Sequence, residues 1–172
     1  MAAYIAAIPK KVQVVLGQTT LTPEAILSVD RDWKHHNCGG VYINLSRIGQ
    51  EYGCYAGSTT RAFSMRIMEH LRVASRYTPD TLPEEHSSSL HYNRICKVGV
   101  ISNFRALTAF SDKSIPRGYV FLLEAAMMVM FRSLFNGTFR KYNNPELEDL
   151  GGEGPSLDMP SSSLTPCYRA CS

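Results

Sequence analysis

The sequence is poor in the features that mark membrane, secreted or repetitive proteins. Its longest apolar stretch, residues 117–135, is broken by Glu124 and Arg132, so no membrane-spanning helix is expected. The first nine residues are apolar, but Lys10 and Lys11 follow that stretch instead of preceding it, which fits neither a signal peptide nor an anchor. Five cysteines (Cys38, Cys54, Cys96, Cys167 and Cys171) make an odd set without framework spacing. Free thiols in a soluble, intracellular protein are therefore expected, with nucleus and mitochondrion both open. His35, His36 and Cys38 lack a second ligand pair at zinc spacing. No repeat, zinc ribbon, helix-turn-helix pattern or long basic arm is legible.

What is present suits one globular domain. The 172 residues are 44% hydrophobic and 19% charged, enough for a core and too few for two ordinary domains. The net charge of +3 says little about partners, but its distribution says more. Arg61, Arg66, Arg72 and Arg76 face a single acid, Glu69, whereas residues 146–158 hold five acids and no base. A basic middle with an acidic tail fits a body that binds a polyanion; a solvated helix face accounts for the arginines equally well.

Along the chain, Val12 to Leu16 reads as a short strand ending at Gly17, and Thr22-Pro23-Glu24 as the start of a short helix. Gly40–Leu45 and Gly53–Gly57 read as an antiparallel strand pair with a fairly long polar connection, Ser46 to Glu51. The hydroxyls of Ser58, Thr59 and Thr60 are placed to cap a helix from Arg61 to Arg76, whose Phe63, Ile67, Leu71 and Ala74 form an apolar stripe. Thr78–Leu90 reads as a loop, Ile95–Ile101 as a buried strand and Phe104–Phe110 as a short helix. Pro116 opens a buried helix over Arg117–Phe135, and from Pro145 the composition is that of a flexible tail. The expectation is a single α/β (α+β) domain with a small, mainly antiparallel three-stranded sheet flanked by helices. It divides into an N-terminal extension (1–36), a core (37–145) and an acidic, Ser/Pro-rich tail (146–172).

Several polar residues stand where chemistry could use them. Tyr42, in Gly39-Gly40-Val41-Tyr42-Ile43, and Tyr55, in Tyr55-Ala56-Gly57, would be brought together by the strand pair. Arg66 and His70 lie one turn apart on the following helix and would aim a cation and an imidazole at the same spot. A guanidinium fork suits phosphate oxygens. Glu124 has only apolar neighbours, and an unpaired buried carboxylate costs several kcal/mol, so it must face water, a partner or a cation. Phosphodiester hydrolysis needs an activated water and charge compensation, and this set of groups suits both.

The ordered series Gly40-Val41-Tyr42, Tyr55-Ala56-Gly57, Arg66-x-x-x-His70 and a late Glu in an apolar helix resembles the GIY-YIG nucleases. The resemblance covers roughly residues 37–144. Two departures exist: Ala56 replaces the usual Ile, and the step from Tyr55 to Arg66 is one residue longer than the commonest family spacing, which keeps Arg61 as an alternative to Arg66. The resemblance implies a metal-dependent DNA endonuclease leaving a 5′-phosphate and a 3′-hydroxyl. Tyr42 would be the general base, and Tyr55 would orient water or phosphate. Arg66 and His70 would compensate charge, and Glu124 would be the only protein carboxylate on Mg²⁺ (or Mn²⁺). Asn143 or Asn144 would steady the site. Arg61, Ser58, Thr59 and His91 (or His86) are candidates for contacting the nucleic acid. The implied partners are DNA and a protein supplying target choice. The alternative reading is the same fold binding nucleic acid or protein without cutting.

Overall fold

A computed structural model describes residues 6–31, 33, 37–110 and 115–131. Asn143, Asn144, His35, His36, Cys167, Cys171 and the tail lie outside the described residues, as does the end of the expected last helix. The elements in order are α1 (Lys10–Leu16), α2 (Pro23–Ser28), β1 (Gly39–Ile48), β2 (Glu51–Thr59), α3 (Phe63–Arg76), a 3₁₀ turn (Pro79–Thr81), α4 (Glu84–Ser87), α5 (Leu90–Ile95), β3 (Ile101–Phe110) and α6 (Arg117–Met130). The three strands form an antiparallel sheet in the order β2-β1-β3, flanked by helices, as the residue pattern leads one to expect.

Strand β1 is the centre of this sheet, and its side chains alternate between two interiors. Val41, Ile43 and Leu45 join Ala56, Leu107 and the apolar faces of α1, α2 and α6 in the larger core. Tyr42 packs on the other side with Trp33, Phe63, Ile67, Phe104 and Ala106. Strand β2 is an edge of the sheet and serves both interiors, with Ala56 in the first and Tyr55 against the second.

Five local expectations are corrected. Residues 12–16 are helical: Gln13 N–H bonds Pro9 C=O, and Val12 and Val15, three apart, bury one face while Val14 is exposed. The β-branched composition suggested a strand, but docking of that face overrides propensity. The connection between β1 and β2 is not long. Ile48 pairs with Glu51 across a two-residue turn, with Gly49 in the left-handed region at φ +57°. Ser46 and Arg47 belong to the strand, and Ser46 donates from Oγ to Gly53 C=O. Residues 104–110 are strand rather than helix, with Phe104 and Ala106 on the Tyr42 side and Leu107 on the other. A bulge against Val41 and Tyr42 disturbs the period of two that would have revealed it. The strand expected at Ile95–Ile101 is instead the end of α5 followed by a turn through Gly99 (φ +80°). The expected loop over 78–90 also carries the 3₁₀ turn and α4.

Other expectations hold in whole or in part. Thr22 Oγ1 accepts from Ala25 N–H and Pro23 sits at the first helical position of α2. Helix α3 follows β2 and buries Phe63, Ile67 and His70. Its N-cap, however, is Ala62, without a side-chain cap. Thr59 Oγ1 instead accepts from Arg61 N–H, and Ser58 points elsewhere. Helix α6 is only half buried: Val120, Leu123 and Met127 enter the core while Tyr119, Phe121, Leu122 and Val129 are exposed.

Candidate active site

Two glycines make room for the site. Gly57 pairs with Tyr42 across the hairpin, and a Cβ there would lie 2.8 Å from the Tyr42 hydroxyl oxygen. Gly40 faces the Thr108 carbonyl so closely that any side chain would collide with backbone. The glycines of the two fingerprints therefore let the strands and the Tyr42 ring approach.

Tyr42 is fully buried, and its hydroxyl oxygen lies 2.7 Å from His70 Nε2. The Tyr42 and Tyr55 ring centroids are 6.4 Å apart, and Tyr55 stacks on His91 at 3.8 Å. His91 is itself buried and meets His70 edge-on at 4.8 Å. His91 is thus held inside the fold against Tyr55 instead of facing a nucleic acid.

Burial, then the neighbouring Tyr55, pushes the Tyr42 phenol well above its ordinary range, while the Arg66 guanidinium pulls it back. The Tyr55 phenol is raised by burial first and by the Glu124 charge second, again opposed by Arg66. Burial, with help from Arg66, lowers His70 to about 3, so the imidazole is neutral under ordinary conditions.

That last value limits what His70 can do for Tyr42. Moving a proton from a phenol of ordinary pKa near ~10 to an imidazole near 3 costs roughly 10 kcal/mol at 1.36 kcal/mol per unit. His70 is therefore no base for Tyr42. Its Nδ1 has no hydrogen-bond partner. With the proton on Nε2, only a lone pair is left bare inside, instead of an N–H group. The favoured tautomer thus donates from Nε2 to the Tyr42 oxygen, where it stabilises phenolate.

Glu124 reaches the same edge from the other interior. Ser58 follows Gly57 and pairs with Val41, so it faces α6; its Oγ donates to Glu124 Oε2 at 2.5 Å. Burial raises the Glu124 pKa, opposed by the Ser58 hydrogen bonds and the Arg66 charge. Its charge reaches Tyr55 and Tyr42, and Arg66 acts on all three. A cleft of about 310 Å³ lies beside Ser58, lined by Ser58, Thr59, Thr60, Arg61, Arg66, Arg117 and Phe121; of the expected catalytic residues it takes in Arg66 but not Tyr42, Tyr55, His70 or Glu124. Arg61 gives Glu69 two bonds of 2.8 Å, and Arg66 adds one of 3.2 Å. Arg61 and Arg66 therefore line one cleft and share Glu69. Arg117 gave no signal in the sequence beyond opening an apolar helix.

Among the described residues, no three His, Cys, Asp or Glu side chains form a metal-holding group. A divalent cation here would have Glu124 as its protein carboxylate. The donor chemistry fits Mg²⁺, which keeps several waters and takes one or two carboxylates plus substrate phosphate. No Lys or Arg forms an ion pair with Glu124 among the described residues, so the carboxylate is not already neutralised. No helix among them is long and apolar enough to cross a membrane.

No family model, no curated protein and no solved structure matches this chain. The functional reading rests on the residues and their geometry.

Proposed function

We propose that this chain is a metal-dependent endonuclease of the GIY-YIG type that hydrolyses DNA phosphodiesters at the Tyr42–Glu124 edge of the sheet. One observation carries the reading. Residues far apart in sequence meet across the β1–β2 pair: His70 bonds Tyr42, Tyr55 lies beside Tyr42, and Ser58 holds Glu124 next to a cleft lined by Arg61, Arg66 and Arg117.

In this reading, Tyr42 as phenolate takes the proton of the attacking water. Its charge is met by the His70 Nε2–H bond and by Arg66. Tyr55, held flat by the His91 stack, orients the water or a phosphate oxygen. Arg66 compensates the charge that develops on the phosphate. Ser58 fixes the Glu124 carboxylate. A Mg²⁺ held by Glu124 would supply further charge compensation on the phosphate and help the leaving oxygen. A partner protein would supply target choice.

The test incubates the purified chain with branched, nicked and linear DNA, in Mg²⁺ or in EDTA, beside Glu124→Ala. Cleavage that needs Mg²⁺ and vanishes in the variant supports the reading. Binding without cleavage under Mg²⁺ and Mn²⁺ sinks it, and leaves the non-cutting binding module as the better description.

A further inference from the structure

Phe121 stands 55% exposed at the cleft mouth, with Arg61, Arg66 and Arg117 lining the same space. A single exposed apolar residue is ordinary and needs no explanation by itself. Its position is what informs. Arg117, Phe121 and Glu124 are spaced i, i+4 and i+7, so they form one stripe of α6 that runs from a cation through an aromatic ring to the candidate phosphate site. Each step is close to one helical turn, about 5.4 Å. A second cleft shares Arg61 and Arg117 and continues toward Met65 and Ile115, so the basic mouth does not end at Phe121.

An apolar protein segment would match the Phe121 ring but would have to lie among three guanidiniums. A polyanion whose repeating unit carries a flat aromatic face satisfies both. Base–aromatic stacking beside a cationic track is how single strands are held irrespective of sequence. In a regular duplex the base faces are already stacked on one another, so only an unpaired or extruded nucleotide presents one. We infer that the Phe121 ring is a stacking platform for an unpaired nucleotide of single-stranded DNA adjoining the phosphate at Glu124. This deepens the nuclease reading and rests on it for the direction of the strand. It names the substrate class: DNA with an unpaired nucleotide beside the scissile bond, in place of uniform duplex.

The experiment uses the full chain in EDTA, so that binding is read without cleavage. Fluorescence anisotropy compares a labelled oligothymidylate of about 20 nucleotides, longer than the ~4–16 that such sites cover, with a blunt duplex of equal length at one salt concentration. Phe121→Ala is expected to weaken the single strand at least about fivefold, the low end of one base–aromatic stack, and the duplex by less than about twofold. Phe121→Trp should restore single-strand affinity, and Phe121→Leu should not. Ultraviolet crosslinking of an iododeoxyuridine-substituted strand should mark Phe121. An exposed side chain carries little fold stability, and a thermal melt of each variant checks that it is folded. Equal loss on both probes, no loss on either, or full rescue by Leu overturns the stack. If Mg²⁺-dependent cleavage persists alongside that result, the nuclease reading stands without it. Stack-dependent binding with no cleavage retains the platform and removes the nuclease.

Discussion

The two faces of β1 are made from alternate residues of one strand and are built on opposite principles. On one side Val41, Ile43 and Leu45 enter a mainly apolar core that includes Phe110 and Phe131, with Arg105 and the Ser58–Glu124 bond as polar exceptions. On the other, Tyr42, Asn44 and Ser46 are as deeply buried, but each carries a polar atom that needs a partner. Ser46 receives Arg94 Nε at 2.8 Å, Tyr42 meets His70, and Asn44 Oδ1 has no hydrogen-bond partner. Burial on the first face stabilises in proportion to area. On the second it holds groups in place at a cost, and the pKa shifts of Tyr42, His70 and His91 are that cost in electrostatic form. The contrast assigns most of the stability to the first face and the Tyr42–His70 chemistry to the second, with Glu124 reaching the site from the first through Ser58.

The largest effect that would break this assignment is on Tyr42. Tyr42→Phe keeps the ring and removes the hydroxyl. If the polar face serves chemistry, Mg²⁺-dependent cleavage falls about 10²–10⁴-fold, the usual worth of a positioned base. Stability should fall by only about 1–3 kcal/mol, the cost of leaving His70 Nε2 unsatisfied. The phenol's raised pKa adds a sign: cleavage by the parent chain should climb with pH throughout the neutral range, because the phenolate fraction grows with every unit. A flat profile from pH 7 to 9 would take the base role away from Tyr42.

Next in size is the apolar face. Ile43→Ala deletes fully buried methyl groups and should cost about 2–5 kcal/mol in urea denaturation. At temperatures where the variant is folded, cleavage should change little. A variant that stays stable but loses cleavage would show that the two faces do not divide labour as stated.

The third effect separates the faces by pH. His70 and His91 have folded pKa values below 6.5, His70 at about 3, so below pH 6.5 the unfolded chain binds more protons than the folded one. Their contribution is fully present above pH 6.5 and is lost as pH falls toward the folded values. At pH 5 the loss is at most roughly 2 kcal/mol for each. Urea denaturation at pH 7 and pH 5 should show this fall, and the double substitution His70→Phe and His91→Phe should flatten it. An equal fall in the double variant would place the acid sensitivity elsewhere.

How much of this was legible in the sequence depends on how local the cause is. The Thr22-Pro23 helix start, the strands around Tyr42 and Tyr55 and the body of α3 follow from nearest neighbours, and they stand where the pattern puts them. The bulge in β3 hid an alternation, and α1 carries β-branched residues into a helix because its Val12–Val15 face docks. Neither cause is visible without the rest of the fold. In the candidate site, the Tyr, Arg, His and Glu could be picked out from their surroundings. Their connections could not. Ser58 looked like a helix cap and instead holds Glu124, and Arg61, the alternative to Arg66, shares Glu69 with it. Side-chain partners of that kind depend on how strand β2 turns into α3, a feature no spacing encodes.

Glu69 supplies the smallest effect and the finest test. It accepts three bonds from Arg61 and Arg66, and these hold its carboxyl below the usual range, with the Arg61 bonds the largest cause. The pairs are a third to a half exposed, so their worth to the fold is about 0–1 kcal/mol. Their effect on a polyanion is larger in kind, because the carboxylate occupies the donors that phosphate would use. Glu69→Gln should leave the melting temperature nearly unchanged and tighten single-stranded DNA several-fold at moderate salt. It should also steepen the dependence of affinity on salt by roughly one phosphate contact, ~0.7 in slope. Weaker binding would mean that Glu69 holds Arg66 in the orientation the substrate needs. The guanidinium would then belong to the rigid, polar face of the sheet, and the surface that merely attracts DNA would begin at Arg61.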